Sequence, residues 1–412
     1  MRISNNQSFS QGVNSMLDQY SSVSYTQLQI SEGTRILKPS DDPVGTSIAL
    51  NLRQQVNAAE QYAKNSGSAA SMLKSEEASL TSVNDILGRI RDLLVTAGNG
   101  ILNYEDRKTI ATEMQGRLDE LVSVANTQSA DGKYIFSGAR TNTMPITRDA
   151  GGNYVYGGDQ TNLTVQVNSS VVVKGTDNGS ELFMEVPTGN GAFETRQNPL
   201  NNGSGVIGPA SVYDVAQYLP DTYTVDVFVD GGGVTRYSIS DSAGGQVVPA
   251  PPAVIATDSP EFVNGADIQF NGVRVAIAGQ PVAGDKFTIQ PSLKKSVFQT
   301  VADAIRDLQL ANSSDAMLAH YKNNVGRALQ NVDQAISHTD SFRSQLGTRV
   351  NVVESEADIN ENLVVQAKGA LSLVEDLDYA EAITRMNRQS VALQAAQQSF
   401  VKIQSLNIFQ FI

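Results

Sequence analysis

The sequence contains no cysteine and only two histidines in 412 residues. The absence of thiols excludes disulfides, thiolate zinc sites and cysteine nucleophiles. His320 and His338 lie about five turns apart on a stretch with helical periodicity, which predicts two surface side chains and no shared metal site. No other catalytic set can be located, so we expect no metal, no cofactor and no enzyme.

Basic residues and long apolar runs are also scarce. Lys and Arg number 30 against 43 Asp and Glu, for a formal net charge of -13. This balance argues against a surface that binds nucleic-acid phosphates, and the adjacent pair Lys294 and Lys295 is predicted to be a solvated helix start. No apolar run is long enough to span a bilayer, and MRISNNQSFSQGVNSM at 1–16 lacks the apolar segment of a cleaved signal peptide.

Two local patterns could indicate ligand sites, but their context argues against both. NGSGVIG at 202–208 satisfies G-x-G-x-x-G, yet it follows a polar loop and precedes Pro209, where a nucleotide-binding helix would have to run. Asp41 and Asp42 lack the alternating acids of a calcium-binding loop. Asp42 followed by Pro43 instead predicts the N-cap and first residue of a helix.

Apolar residues recur in alternating steps of three and four near both ends of the chain, which is the pattern of an α-helical coiled coil. The first strip ends before RILKPSDDPVG at 35–45, and a second continues to the glycines at 98 and 100. Helical periodicity returns near Val297, continues to Val374, and is followed by a last strip from Tyr379. The terminal strips are narrow, so each needs a partner helix. Because the chain runs outward and back, they can pair with each other.

Between the helical arms the period changes to two. TYTVDVFVDGGGVTRYSIS at 222–240 and DIQFNGVRVAIAG at 267–279 predict β-hairpins, the second with an Asn-Gly turn. We predict an α+β fold with long α-helical coiled-coil or bundle arms formed by the N- and C-terminal regions, and an inserted antiparallel β domain. The predicted segments are an N-terminal strip and connector (1–42), two halves of a helical rod (43–130 and 293–375), the β insert (131–292) and a C-terminal strip (376–412).

Both ends resemble the flagellin family. ISEGTRILKPSDDPVGTSIAL at 30–50 is similar to its N-terminal signature, in which a terminal helix ends, a short connector crosses, and a second helix starts at a paired-aspartate cap. DLDYAEAITRMNRQSVALQAAQQSFVKIQSLNIFQFI at 376–412 is similar to its C-terminal signature. The prolines of KPSDDP, the segment DGKYIFSGARTNTMPI at 131–146 and the ending FVKIQSLNIFQFI resemble the adaptors of this family more than its filament subunits.

This resemblance implies a structural adaptor of the bacterial flagellum, at the junction between hook and filament. The implied partners are further copies of the chain in a ring or helical array, hook-associated protein 1, flagellin and a flagellar export chaperone. The implied route is type III export to the cell exterior without a cleaved signal peptide, with no nucleic acid bound and no membrane insertion. The alternatives are a filament flagellin, a soluble signalling coiled coil, and an enzyme housed in the β insert.

The expected site is an assembly seam with a stiff connector. The connector residues are Pro39, Asp42 and Pro43, because fixed proline dihedrals and a helix cap would hold two helical layers at a set offset. The seam residues are apolar positions on the two terminal strips: Val13, Met16, Tyr20, Val23, Leu393, Phe400 and Ile403.

Overall fold

The computed structural model describes residues 5–99, 102–310 and 314–408. The helices are α1 (Asn5–Glu32), α2 (Pro43–Ala97), α3 (Tyr104–Ala125), α4 (Ile255–Asp258), α5 (Val297–Leu308), α6 (Asp315–Glu375) and α7 (Tyr379–Ile408). A single π-helical turn spans Ser180–Met184. Helices α2 and α6 contain 55 and 61 residues, which makes them about 80 and 90 Å long.

Short antiparallel strands occupy the middle of the chain. They are β1 (Ile146–Arg148), β2 (Tyr154–Tyr156), β3 (Thr164–Gln166), β4 (Val172–Lys174), β5 (Val186–Pro187), β6 (Phe193–Gln197), β7 (Val206–Ile207), β8 (Ser211–Val212), β9 (Tyr223–Val229), β10 (Thr235–Ser240), β11 (Gln246–Val248), β12 (Asp267–Phe270), β13 (Val273–Ala278), β14 (Lys286–Pro291) and β15 (Lys294–Lys295). Helical arms around an antiparallel β insert confirm the predicted α+β fold. Both predicted hairpins are present, as β9–β10 and β12–β13.

The chain divides into two compact units. A terminal unit consists of Met1–Asn65 and Ser355–Ile412, and a central unit consists of Ser66–Glu354. In the terminal unit, small buried side chains such as Ala49 and Ala59 on α2 allow a neighbouring helix to approach closely. An ion pair between Lys368 Nζ and Glu60 Oε1, 2.6 Å apart, links α6 to α2 there. The five-segment division drawn from the sequence stays a prediction.

The central unit contains a first core that is shared by helices and part of the insert. Side chains of α2, α3, α5 and α6 meet apolar residues from the segment 135–186 in this core. Phe298 on α5 is fully buried, and its ring lies 5.5 Å from Tyr154 and 5.6 Å from Phe183, measured between centroids. The first strands of the insert are therefore part of the helical core.

A second core lies between two sheets farther along the insert. The five-stranded sheet has the order β11-β10-β9-β14-β6, and the other has the order β12-β13-β7 with β8 also paired to β13. Apolar side chains of both sheets, including Val225, Phe287 and Val273, form one cluster. The chain enters and leaves this region side by side, because β5 pairs with β15 and Thr188 N donates to Leu293 O at 2.9 Å.

Helix α6 contacts the insert through a stripe of polar side chains. Asn323 Oδ1 accepts a hydrogen bond from Ile207 N at 2.8 Å, and Asn331 Oδ1 accepts one from Gly189 N at 2.6 Å. Arg327 lies on the same stripe between them. Each asparagine satisfies a backbone N–H that has no partner in a β ladder, so the stripe provides the hydrogen bonds that burial of this surface requires.

The two histidines belong to the same polar surface, so the prediction that they lie on the protein surface is wrong. His320 is partly buried, and its Nε2–H donates to Asn201 O at 3.0 Å. His338 is also partly buried and donates from Nε2 to Glu181 O at 3.0 Å. Each ring therefore joins α6 to a carbonyl group of the insert.

The pair Lys294 and Lys295 forms a strand, which corrects the predicted helix start. The two residues pair with β5, and Lys295 Nζ lies 2.6 Å from Asp303 Oδ2. Helix α5 begins at Val297 because Ser296 is the N-cap, whose hydroxyl accepts a hydrogen bond from Gln299 N.

Candidate assembly site in the terminal helix pair and its connectors

The first and last helices pack against each other in antiparallel order. Near one end of the pair, the rings of Phe9 and Phe400 lie 5.3 Å apart between centroids. Near the other end, Thr26 Oγ1 donates to Gln389 Oε1 at 2.8 Å. Thr26 is only 3% exposed, so this hydrogen bond lies inside the helix pair and fixes its register.

The predicted seam residues fall into two groups within a single chain. Val13, Met16, Val23, Leu393 and Phe400 are partly buried. Tyr20, in contrast, is 64% exposed, because it lies on a different side of α1 from Thr26. Ile403 belongs to α7, but its side chain lies outside the described residues. The role of all seven in assembly stays a prediction.

The connector after α1 is a turn that ends in a helix cap. Asp41 N donates to Lys38 O at 2.9 Å, which closes a turn with Pro39 at its second position. Asp42 Oδ1 accepts a hydrogen bond from Gly45 N at 2.8 Å, and Pro43 is the first residue of α2. This is the geometry of an N-cap followed by proline. The role of these residues in spacing helical layers stays a prediction.

Asp41 holds the connector against α1. Its Oδ2 accepts hydrogen bonds from Leu37 N at 3.1 Å and Lys38 N at 2.7 Å, and also from the hydroxyl of Tyr25. Burial, followed by the hydrogen bond to Asp41, raises the pKa of Tyr25 to about 12. The tyrosine therefore remains a neutral donor at physiological pH, and the aspartate remains an acceptor.

A backbone clasp joins the two connectors, and no periodic pattern in the sequence predicts it. Thr34 and Asp376 form an antiparallel β-bridge, in which Arg35 N donates to Glu375 O at 2.7 Å and Leu377 N donates to Gly33 O at 3.0 Å. Each connector therefore holds the other in place, directly after the ends of α1 and α6.

Side chains reinforce this clasp. Arg35 Nη2 donates to Val374 O at 2.9 Å, and Arg53 Nη2 lies 2.7 Å from Glu375 Oε2. Gly33 has a φ of 74°, and a Cβ at this position would lie 2.8 Å from the Tyr379 hydroxyl oxygen. A glycine is required here, because a larger residue would strain the backbone and displace Tyr379. The only hint in the sequence is a glycine directly after a helix.

The described residues include no group of three or more acidic or histidine side chains that could hold a metal ion. In the same part of the chain, no helix is both long and apolar enough to cross a membrane. The chemistry of the terminal unit is that of helix packing: apolar side chains, a few hydrogen bonds, and ion pairs at its edges.

Comparison with known sequences assigns both ends of the chain. The profile of the bacterial flagellin N-terminal helical region matches residues 3–141, and that of the C-terminal helical region matches residues 329–412. Flagellar hook-associated protein 3 of Salmonella typhimurium is 30% identical over 186 residues, which span 45% of this chain and 58% of that protein. Its counterpart in Escherichia coli is 24% identical over 382 residues, 93% of this chain and 90% of that protein.

The fold is also similar to a solved structure. The flagellar junction protein FlgL of Legionella pneumophila is 33% identical, with a TM-score of 0.73, and the match covers 80% of this chain and 99% of that one. The sequence profiles cover residues 3–141 and 329–412, and this structural match covers a larger share of the chain. The chain therefore belongs to the family of flagellar hook-associated protein 3, whose two ends are the helical regions of bacterial flagellin.

Proposed function

We propose that this chain is the structural adaptor that joins the flagellar hook to the flagellin filament. The observation that carries the proposal is the incomplete burial of the terminal helix pair. Leu17 and Tyr20 on α1 are 60% and 64% exposed, and Val391 and Val401 on α7 are both 64% exposed. Apolar side chains repeated along both helices are typical of surfaces that a neighbouring molecule covers.

Charge on the two terminal helices supports packing between copies. Asp18 and Glu32 are the charged residues of α1, which has no Lys or Arg. Helix α7 has three basic residues, Arg385, Arg388 and Lys402, against one acidic residue, Glu381. Opposite charges favour α1 of one copy beside α7 of another, in addition to the pairing within a chain. We infer a head-to-tail contact, which closes into a ring or continues as a helical array.

The proposed mechanism is folding coupled to assembly. Within one chain the terminal strips bury few large side chains. Their folded state is therefore stabilised when neighbouring copies cover Leu17, Tyr20 and Val391. The proposed partners are copies of the chain, hook-associated protein 1 on the hook side, flagellin on the filament side, and an export chaperone before assembly. The proposed location is the hook-filament junction outside the cell.

Immunogold labelling of detached flagella tests the location. We expect the label only at the boundary between hook and filament. Label along the whole filament would instead support the filament flagellin alternative, and protein found only in the cytoplasm would support the signalling coiled coil.

Variants of α7 test the assembly surface. Val391→Asp combined with Val401→Asp adds two charges to exposed apolar positions, so the chain should fold while contacts between copies are lost. A matched control is Gln394→Glu with Gln397→Glu, which adds the same charge at exposed polar positions of α7. We expect cells with the first variant to secrete it and to release unpolymerised flagellin, and cells with the control to swim. Normal filaments in both strains would refute the proposal that this surface carries assembly.

A further inference from the structure

A short loop of the central unit is buried between two long helices. Asp177 and Asn178 are 3% and 0% exposed, and Glu76 on α2 is also 0% exposed. Glu76 Oε1 accepts a hydrogen bond from Asp177 N at 3.0 Å. The loop 176–178 is therefore attached to α2 by a carboxyl group that has no contact with solvent.

The same loop is attached to α6 by an ion pair. Asp177 Oδ2 pairs with Arg349 Nη2, and the two side chains are 3% and 15% exposed. Glu76 Oε2 has no hydrogen-bond partner among the described residues. The cluster thus contains two carboxyl groups and one guanidinium group. If both carboxyl groups were ionised, one negative charge would be buried without compensation, which is costly.

A proton on Glu76 resolves this imbalance. Burial, followed by the nearby charge of Asp177, raises the pKa of Glu76 to about 8. The Asp177 N–H and Arg349 act in the opposite direction but do not outweigh them. At neutral pH a proton on Glu76 and the ion pair between Asp177 and Arg349 together make the cluster formally neutral.

The other charged groups nearby do not supply a counter-charge. On α2 itself, Lys74 and Glu77 are exposed. A small cavity of about 60 Å³ lies beside the loop, and Asp131 and Lys133 are in its wall. Lys133 Nζ is 3.3 Å from Asp131 Oδ2, so these two groups compensate each other.

We propose that Glu76, Asp177 and Arg349 form a proton-dependent latch, which holds the loop 176–178 between α2 and α6 at neutral pH and releases it at alkaline pH. The latch depends on Glu76 because ionisation places a second carboxylate beside Asp177 while only one guanidinium is present. Repulsion then acts directly on the loop.

The direction of the pH effect follows from linkage. The folded-state pKa of Glu76 lies above its unfolded value of 4.5, so the folded chain binds the proton more tightly. The stabilisation is fully present below pH 4.5 and decreases as pH rises to about 8. Over that range this group alone changes the unfolding equilibrium constant about tenfold per pH unit.

Hydrogen exchange of the Asp177 amide in the full chain tests the latch. After correction for the intrinsic rate, we expect its opening equilibrium to increase by up to about tenfold between pH 7 and pH 9. In Glu76→Gln, whose amide oxygen can still accept the hydrogen bond from Asp177, this increase should disappear. Glu77→Gln is the matched control on the adjacent exposed residue, and it should behave as the wild type.

A second measurement observes the titration directly in the wild-type chain. Carbon-13 NMR of glutamate carboxyl groups in the wild-type chain should show one group that titrates near pH 8. This signal should be absent from the spectrum of Glu76→Gln. If that variant does not fold, Glu76→Asp serves for the same comparison. If every glutamate titrates below pH 6, or if wild type and Glu76→Gln open with the same pH dependence, the latch is refuted.

Discussion

Replacing Asn323 by Ala tests how the second core of the insert is held against α6. Asn323 is 7% exposed. Its Oδ1 accepts from Ile207 N at 2.8 Å, and its Nδ2 donates to Gln197 Oε1 at 2.7 Å and to Gly205 O at 3.1 Å. Truncation leaves a buried N–H and a buried carbonyl without partners. Each such group costs about 1–3 kcal/mol, so we expect a loss of about 2–6 kcal/mol in the free energy of unfolding of the central unit.

The neighbouring Asn324→Ala is the matched control for this change. Asn324 is partly exposed, and its Oδ1 accepts a hydrogen bond from Arg327 Nη2 at 3.4 Å. Its loss should cost at most about 0.5 kcal/mol, as for other surface substitutions. Urea titrations followed by circular dichroism would give both values, and hydrogen exchange should show faster opening at Ile207 in Asn323→Ala alone. Equal unfolding free energies for the two variants would contradict the assignment of a structural role to the polar stripe.

Three further experiments have defined outcomes. Gly369→Ala, with nothing within 4 Å of its Cβ, should stabilise α6 by about 1 kcal/mol, whereas Gly12→Ala should stabilise less because its Cβ would lie 3.0 Å from Phe400 Cδ2. A larger upward shift in the thermal melt of Gly12→Ala would refute this contrast. Phe298→Ala should cost the central unit about 3–5 kcal/mol in urea, since a fully buried ring is removed, and a loss below about 1 kcal/mol would contradict its place in the core. Replacing residues 189–291 by a two-glycine linker should preserve the helices, whereas replacing 147–291 should not. Only the second deletion removes aromatic rings that pack on α5. Equal helix content of the two deletion variants by circular dichroism would show that the first strands of the insert are dispensable.

Periodicity was sufficient to predict the long helices and two of the hairpins of this fold. Steps of three and four located the long helices, and alternation with an Asn-Gly turn located β12 and β13, where Asn271 and Gly272 have φ values of 41° and 74°. These features depend on residues that are close in sequence. The N-cap geometry of Asp42 followed from its position before Pro43 for the same reason.

Features that depend on distant residues were not predictable from the sequence alone. A seam assigned by heptad steps does not distinguish the side of α1 that faces α7 from the side that is exposed in one chain, and Tyr20 falls on the exposed side. Lys295 forms a strand because β5 lies beside it. His320 was predicted to lie on the surface because polar side chains on a helix usually do. Instead its ring donates a hydrogen bond to a backbone carbonyl of the insert, and the nearby Asn323 accepts one from a backbone N–H.

The clasp between the connectors also determines the order in which the chain can fold. Arg35 and Val374, which it joins, are 339 residues apart in sequence. The central unit is one continuous segment, whereas the terminal unit needs both ends of the chain. A chain that is delivered N-terminus first, from a ribosome or through a channel, therefore presents α1 long before α7 arrives.

During that interval α1 has no partner within its own chain and remains available to other binders. A product truncated before residue 375 would lack Glu375, Asp376 and Leu377, so it could not close the clasp. Closure of the clasp therefore depends on the C-terminal arm, because that arm supplies the partner of α1.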